Sequence, residues 1–66
     1  MTIHLNGQEH TLAADQTLGQ LMDALHLPAD GVAVAINGEV IPRSARQSCV
    51  LKSGDRVEII QAVGGG

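Results

Sequence analysis

Few side chains in this sequence are types that do chemistry, and their spacing speaks against most of them. His4, His10 and His26 fall on separate stretches with no cysteine or carboxylate at ligand spacing, whereas a structural zinc site takes four nitrogen or sulfur ligands in paired spacings. Their plainer roles are a solvated strand face for His4 and His10 and, for His26, the last turn of a helix, where a cation suits the dipole. Cys49 is the single cysteine and its nearest basic residue in sequence is Lys52. A thiol becomes a nucleophile only beside a base or in an electropositive setting, so Cys49 reads as a small, partly buried hydrophobe. Ser44, Ser48 and Ser53 lie in turns with no base to pair with them, and Arg43 and Arg46 flank "SA" in an irregular stretch, as exposed arginines. The carboxylates Glu9, Asp15, Asp23, Asp30, Glu39, Asp55 and Glu58 are spread along the chain, the pattern of a solvated surface.

That leaves the final run Gly64-Gly65-Gly66 and the α-carboxylate of Gly66. The glycines are not a phosphate loop, because no helix follows them. The terminal carboxylate, with a reference pKa of about 3.3–3.7, is ionised at neutral pH. It is an inert electrophile but a competent nucleophile toward the α-phosphorus of ATP, and the acyl-adenylate so formed is open to a thiol, a persulfide or an amine. Such chemistry takes place inside another protein's nucleotide site, so the segment has to thread a narrow passage. Glycine suits this: no Cβ meets the walls, and every φ/ψ region is open. Ordering the segment costs about 1–2 kcal/mol per residue, which contacts upstream must offset. Ile60 and Val63, on the exposed side of the last strand, are the candidates for that docking. The competing reading of the glycines is a frayed end.

The elements that would carry this terminus follow from periodicity and turn chemistry. "TIHL" alternates, with Ile3 and Leu5 on one face, as in a half-buried strand. Asn6-Gly7 is the dipeptide of a two-residue type I′ hairpin, and "QEHTL" is the return strand. Thr17 and Gln20 form a capping box at a helix start. Leu18, Leu21, Met22 and Leu25 then fall at i, i+3, i+4 and i+7, one apolar stripe. Gly19 weakens the first turn by about 1 kcal/mol relative to Ala, and Pro28 requires the helix to stop by Leu27. "VAVAI" is the next strand, Asn37-Gly38 repeats the hairpin signal, and "EVI" runs to Pro42. "RSARQS" is irregular or a short helical turn, and Val50 and Leu51 form a brief edge strand. "RVEIIQAV" is apolar on both faces, as expected of a strand in the middle of a sheet. One helix laid across a mixed sheet is an α+β two-layer arrangement. The order predicts the β-grasp, or ubiquitin-like, architecture: four to five strands packed on one helix, with the first and last strands side by side in the centre. Residues 1–63 would be the domain, and 64–66 a flexible tail carrying the reactive carboxylate.

Size and composition bound the function. Sixty-six residues make one domain, and a chain this short buries only about 60% of the surface its unfolded form exposes. Apolar residues are 44% of the chain, with no Phe, Trp or Tyr. Leu, Ile, Val, Met and Ala can build one packed layer but cannot wall a deep substrate cavity of roughly 300–1,000 Å³. The expectation is therefore not an enzyme but a substrate or carrier. With four Lys and Arg against seven Asp and Glu, the net charge is -3, and no basic patch offers itself to nucleic acid. No long apolar run indicates a membrane. One unpaired cysteine and no signal sequence make the reducing cytoplasm the expected compartment.

"INGEVIPRS" at 36–44, "SGDRVEIIQAVGGG" at 53–66 and the opening "IHLNG", together with the length, resemble the ThiS family of sulfur carriers in bacterial thiamine biosynthesis. The resemblance implies that Gly66 is adenylated by an enzyme like ThiF, which consumes MgATP, and that the carrier itself binds no cofactor or metal. Sulfur from a cysteine-desulfurase persulfide would then replace AMP, giving a Gly66 thiocarboxylate that passes sulfur to a thiazole synthase like ThiG. Gly64 and Gly65 would thread into the partners' active sites. The terminal glycines are shared across ubiquitin-like proteins, so two alternatives use the same chemistry: a MoaD-like carrier for molybdopterin synthesis, and a protein tag joined to lysines. A third is a plain β-grasp interaction domain with a slack tail.

Overall fold

The computed structural model describes residues 1–28 and 30–61. The expected tail Gly64–Gly66, and Ala62 and Val63 of the expected last strand, lie outside the described residues. Five strands and two helices follow in chain order: β1 (Thr2–Leu5), β2 (Gln8–Thr11), α1 (Leu18–Ala24), β3 (Val32–Ile36), β4 (Glu39–Val40), a 3-10 helix (Arg43–Ser48) and β5 (Arg56–Gln61). The sheet order is β2-β1-β5-β3-β4. β1 and β5 run parallel side by side in the centre, and every other neighbouring pair is antiparallel. This is the β-grasp arrangement, with β5 as the central strand.

Each hairpin follows from its Asn-Gly pair. Asn6 and Gly7 have φ of 49° and 82°, and Asn37 and Gly38 have 53° and 84°, the two positive values that a type I′ turn requires. The two-residue turn sets the register Leu5↔Gln8 and Ile3↔His10. His10 therefore shares the helix-side face with Ile3 and is half-buried, not on the solvated face expected for it, because register alone decides the face. His4 does lie on the outer, exposed face.

The helix opens as its capping box dictates: the Gln20 amide donates to Thr17 Oγ1 at 3.1 Å, and Gln20 Oε1 accepts from the Thr17 amide at 2.9 Å. It closes earlier than the apolar stripe suggests, at Ala24, with Leu25 as its C-cap. His26 follows with φ 57°; its amide donates to the Asp23 carbonyl, and that of Leu27 to the Met22 carbonyl, each at 3.0 Å. This pair of bonds is a Schellman motif. His26 is its left-handed residue, so it lies past the helix and not in the last turn.

Ile3, Leu18, Leu21, Val34, Leu51 and Val57 are fully buried side chains at the centre of the core, joined by Leu12, Met22, Val32 and Ile36. Burying each such aliphatic side chain contributes about 1.5–3 kcal/mol. Val50 and Leu51 do not make an edge strand. Val50 forms a single antiparallel bridge with Thr17, while the Leu51 amide donates to the Gln16 carbonyl at 2.9 Å and that of Leu18 to the Cys49 carbonyl at 2.8 Å. The segment ties down the helix start, and Leu51 drops into the core.

Two charged residues depart from the expected solvated surface. Arg46 is only 8% exposed, and its Nη2 donates to the Val32 carbonyl at 2.6 Å. The 3-10 helix packs against α1, so the long arginine stem is covered while its head reaches the start of β3, as amphipathic side chains allow. Asp55 is half-buried; its carboxylate accepts from the Lys52 amide at 2.8 Å and from Asn37 Nδ2 at 3.1 Å. Arg43 is at the surface as expected, paired with Asp30.

Replacing Thr17 with Ala removes the cap and is expected to cost about 1 kcal/mol in urea unfolding, with Thr17→Ser nearly neutral. Arg46→Ala leaves the Val32 carbonyl without its donor and uncovers the packed stem; the expected loss is about 2–3 kcal/mol, clearly more than at Thr17.

Candidate functional site

Along β5 the side chains alternate: Val57 is buried and Ile59 half-buried toward the helix, while Arg56, Glu58 and Ile60 face outward and are exposed. Ile60 is 66% exposed, unusual for an isoleucine on a central strand with neighbours on both sides. Its cross-strand partner on β3 is Ala33, and the next outward pair is Glu58 with Ala35, whose partner on β4 is Val40. Val40 is 72% exposed. Ile60, Ala33, Ala35 and Val40 thus make one apolar strip on the outer face, near the end of the described part of β5. The alternation of "VAVAI" carried this signal, because it sets two alanines on the face opposite the core valines. Small side chains leave the outer surface shallow, and the hollow there is only about 100 Å³. That suits a flat protein contact better than a small ligand, whose sites run to roughly 300–1,000 Å³.

A larger open groove of about 490 Å³ lies farther along the same face, lined by His4, Asn6, Gly7, Arg56, Val57 and Glu58. Its walls are mostly exposed side chains, without the apolar enclosure of a ligand site. Among the described residues, no three of His, Cys, Asp and Glu gather where a metal ion could be held. None of the described helices is long and apolar enough to cross a membrane. The Cys49 thiol is half-buried; burial first, then the charges of Asp55 and Glu39, push its pKa above the usual thiol value. This is the opposite of nucleophile activation.

The two turn asparagines do more than turn. The Asn6 amide donates to the Val57 carbonyl at 2.9 Å. Its side chain then continues the ladder one residue pair further: Asn6 Oδ1 accepts from the Ile59 amide at 2.8 Å, and Nδ2 donates to the Ile59 carbonyl at 3.2 Å. At the other end of β5, the Asn37 amide donates to the Arg56 carbonyl at 2.8 Å and Asn37 Oδ1 accepts from the Arg56 amide at 3.0 Å. Sequence reasoning gave both asparagines a turn role only. Asn-Gly signals a turn, and nothing local shows which strand a side chain at its tip will reach.

Of the residues singled out for the terminal chemistry, Ile60 stands on the outer face of β5, and Val63, Gly64, Gly65 and Gly66 lie outside the described residues.

Comparison with known proteins agrees with this geometry. A family model described as the ThiS family matches residues 3–66. The sulfur carrier protein ThiS of Escherichia coli is 33% identical over 66 residues, covering all of both chains. A thiazole synthase of Magnetococcus marinus is 38% identical over all of this chain, which spans only about a fifth (20%) of that protein's length. Among solved structures, the crystal structure of the thiamine biosynthesis protein ThiS from Geobacter metallireducens superposes with a TM-score of 0.86 at 36% identity, covering all of both chains. With the β-grasp fold and a family match over nearly its whole length, the chain belongs to the ThiS family.

Proposed function

We propose that this protein carries sulfur for thiazole formation in thiamine biosynthesis, with the carboxylate of Gly66 as the reacting group. In an activating enzyme of the ThiF type, a Gly66 carboxylate oxygen attacks the α-phosphorus of ATP, supplied as MgATP, and pyrophosphate leaves. The terminal sulfur of a persulfide derived from a cysteine desulfurase attacks the acyl carbon, and AMP leaves. A second thiol then cleaves the sulfur–sulfur bond, leaving a thiocarboxylate on Gly66 and a disulfide on the donor side. A thiazole synthase of the ThiG type takes up this sulfur. The protein needs no cofactor of its own, because the nucleotide is held and consumed by the activating enzyme.

The observation that carries this reading is the full-length likeness to the Escherichia coli carrier, which extends through the terminal glycines. Its assignment to thiazole chemistry, over a molybdopterin carrier or a lysine-linked tag, is supported by the Magnetococcus marinus thiazole synthase, which contains a segment similar to this entire chain. Two polypeptides that pass an unstable acyl-sulfur group directly gain from being tethered, since linkage raises the effective concentration of one at the other.

The local physics is compatible with this use. Gly64, Gly65 and Gly66 offer no side chain to a narrow passage. The strip of Ile60, Ala33, Ala35 and Val40 gives a partner apolar area near the end of the described part of β5, and Val63 extends the sequence of apolar residues toward the tail. Burial of such area offsets the cost of ordering three glycines, about 1–2 kcal/mol each.

After incubation with MgATP, a ThiF-type enzyme and a persulfide donor, the tryptic peptide "VEIIQAVGGG" is expected to gain the mass of an oxygen-to-sulfur exchange. The peptide contains none of Met1, Met22 and Cys49, whose oxidation adds nearly the same mass. An unmodified peptide, with a control carrier reacting in the same tube, would move the tag or the slack-tail reading ahead. Removing Gly65 and Gly66 is expected to abolish the gain while the circular dichroism spectrum and urea midpoint stay unchanged. Ile60→Glu puts a charge on the docking strip and is expected to raise the KM for the carrier by tenfold or more, with kcat nearly constant; an unchanged KM would remove Ile60 from the interface.

A further inference from the structure

We propose that Asn6 is a positioning residue for the reaction at the terminus: its carboxamide fixes the course of β5 where that strand loses its neighbour β1. The proposal rests on the reading of Gly66 as the reacting group.

β1 pairs with β5 only at His4↔Arg56 and Leu5↔Val57, and β1 ends at Leu5. From there the chain turns away through Asn6-Gly7 into β2. β5 runs on to Gln61, so its β1-facing edge outlasts the partner strand. Unpaired peptide groups at such an edge exchange with water and let a strand end fray. The Asn6 carboxamide takes the place of the missing peptide unit. It presents one acceptor and one donor at 2.8 Å and 3.2 Å to the amide and carbonyl of Ile59, as the next residue of β1 would. On the opposite side, β5 stays paired with β3 as far as Val32↔Gln61. Ile59 therefore has its own peptide groups bonded to Asn6 on one side and stands opposite Val34 of β3 on the other, seven positions before Gly66. The adjacent Ile60 side chain is thereby kept on the outer face, beside Ala33.

The turn itself does not require this amide. Glycine adopts the positive φ of Asn6 at least as readily, so Asn6→Gly deletes the carboxamide and keeps the hairpin. Asn6→Asp keeps the acceptor for the Ile59 amide but sets an oxygen against the Ile59 carbonyl. Asn37→Gly is the matched control: it removes a carboxamide from the other Asn-Gly turn, which binds Arg56 at the far end of β5.

The experiment combines amide hydrogen exchange with ATP–pyrophosphate exchange catalysed by a ThiF-type enzyme, on the full chain. In Asn6→Gly the Ile59 amide is expected to exchange at least tenfold faster relative to that of His4, which donates to the Asp55 carbonyl at the start of the same ladder. The KM for the carrier is expected to rise about tenfold, the equivalent of two lost hydrogen bonds, with kcat within twofold. Asn6→Asp should lie between, and Asn37→Gly should leave KM within twofold of the unmodified protein even at an equal loss of urea stability. Three results would overturn the proposal: an unchanged KM despite faster Ile59 exchange, an unchanged Ile59 exchange rate, or an equal KM rise in Asn37→Gly, which would make the effect one of stability alone. If the unmodified chain itself supports no pyrophosphate exchange while a control carrier does, the terminal-carboxylate reading fails first and the positioning role falls with it.

Discussion

A central strand in a two-layer fold has to satisfy its peptide groups on both edges, and β5 has partners that do not match its length. β3 covers one side from Val57 to Gln61, while β1 covers the other only at Arg56 and Val57. The fold closes the difference with two side chains, the carboxamides of Asn6 and Asn37, one toward each end of the strand. Both come from hairpin tips, where the type I′ turn holds asparagine at positive φ. The proposed function depends on β5, on which residues it turns to the core and which it turns outward.

The core supports this strand from one side only. Val57 and Ile59 pack toward α1, whose Leu18, Leu21 and Met22 close the layer together with Leu51 from the segment after the 3-10 helix. With no aromatic residue in the chain, the layer is thin and encloses no deep cavity among the described residues. The outer face carries alanines and single exposed aliphatics in place of a second core. A domain so built has little room for a buried reaction centre. It suits the proposed role, in which the reacting group is worked on inside another protein. Cys49 fits the same economy, since burial and the charges of Asp55 and Glu39 push its pKa up, away from thiolate activation.

Much of this architecture was legible in the residues. Two Asn-Gly pairs gave both hairpins, and the Thr17–Gln20 capping box gave the helix start. The last strand does lie in the centre as expected, yet its outer face carries exposed Arg56, Glu58 and Ile60 and is not apolar. The other departures have a common cause: each depends on a contact between segments distant in sequence. His10 lies half-buried because the turn at Asn6-Gly7 sets it opposite Ile3. Arg46 is covered because the 3-10 helix folds against α1, and Val50 pairs with Thr17 because the chain returns past the helix start. The end of the helix was overrun by a turn because Leu25 continues the apolar stripe, while the Schellman bonds at His26 and Leu27 close it first.

The sequence by itself suggested the class of chemistry proposed for this protein: a run of glycines needs no folded site to be recognised, because the lack of side chains is a property of the chain alone. It also determined the order of elements, since turn and cap preferences act over a few residues. Only the tertiary structure decided that Ile60 meets Ala33 and shares an outer hollow with Val40, and that Asn6 reaches a residue 53 positions away. Strand register and the reach of a turn side chain are set by packing across the whole sheet, and no local stretch of sequence contains that information.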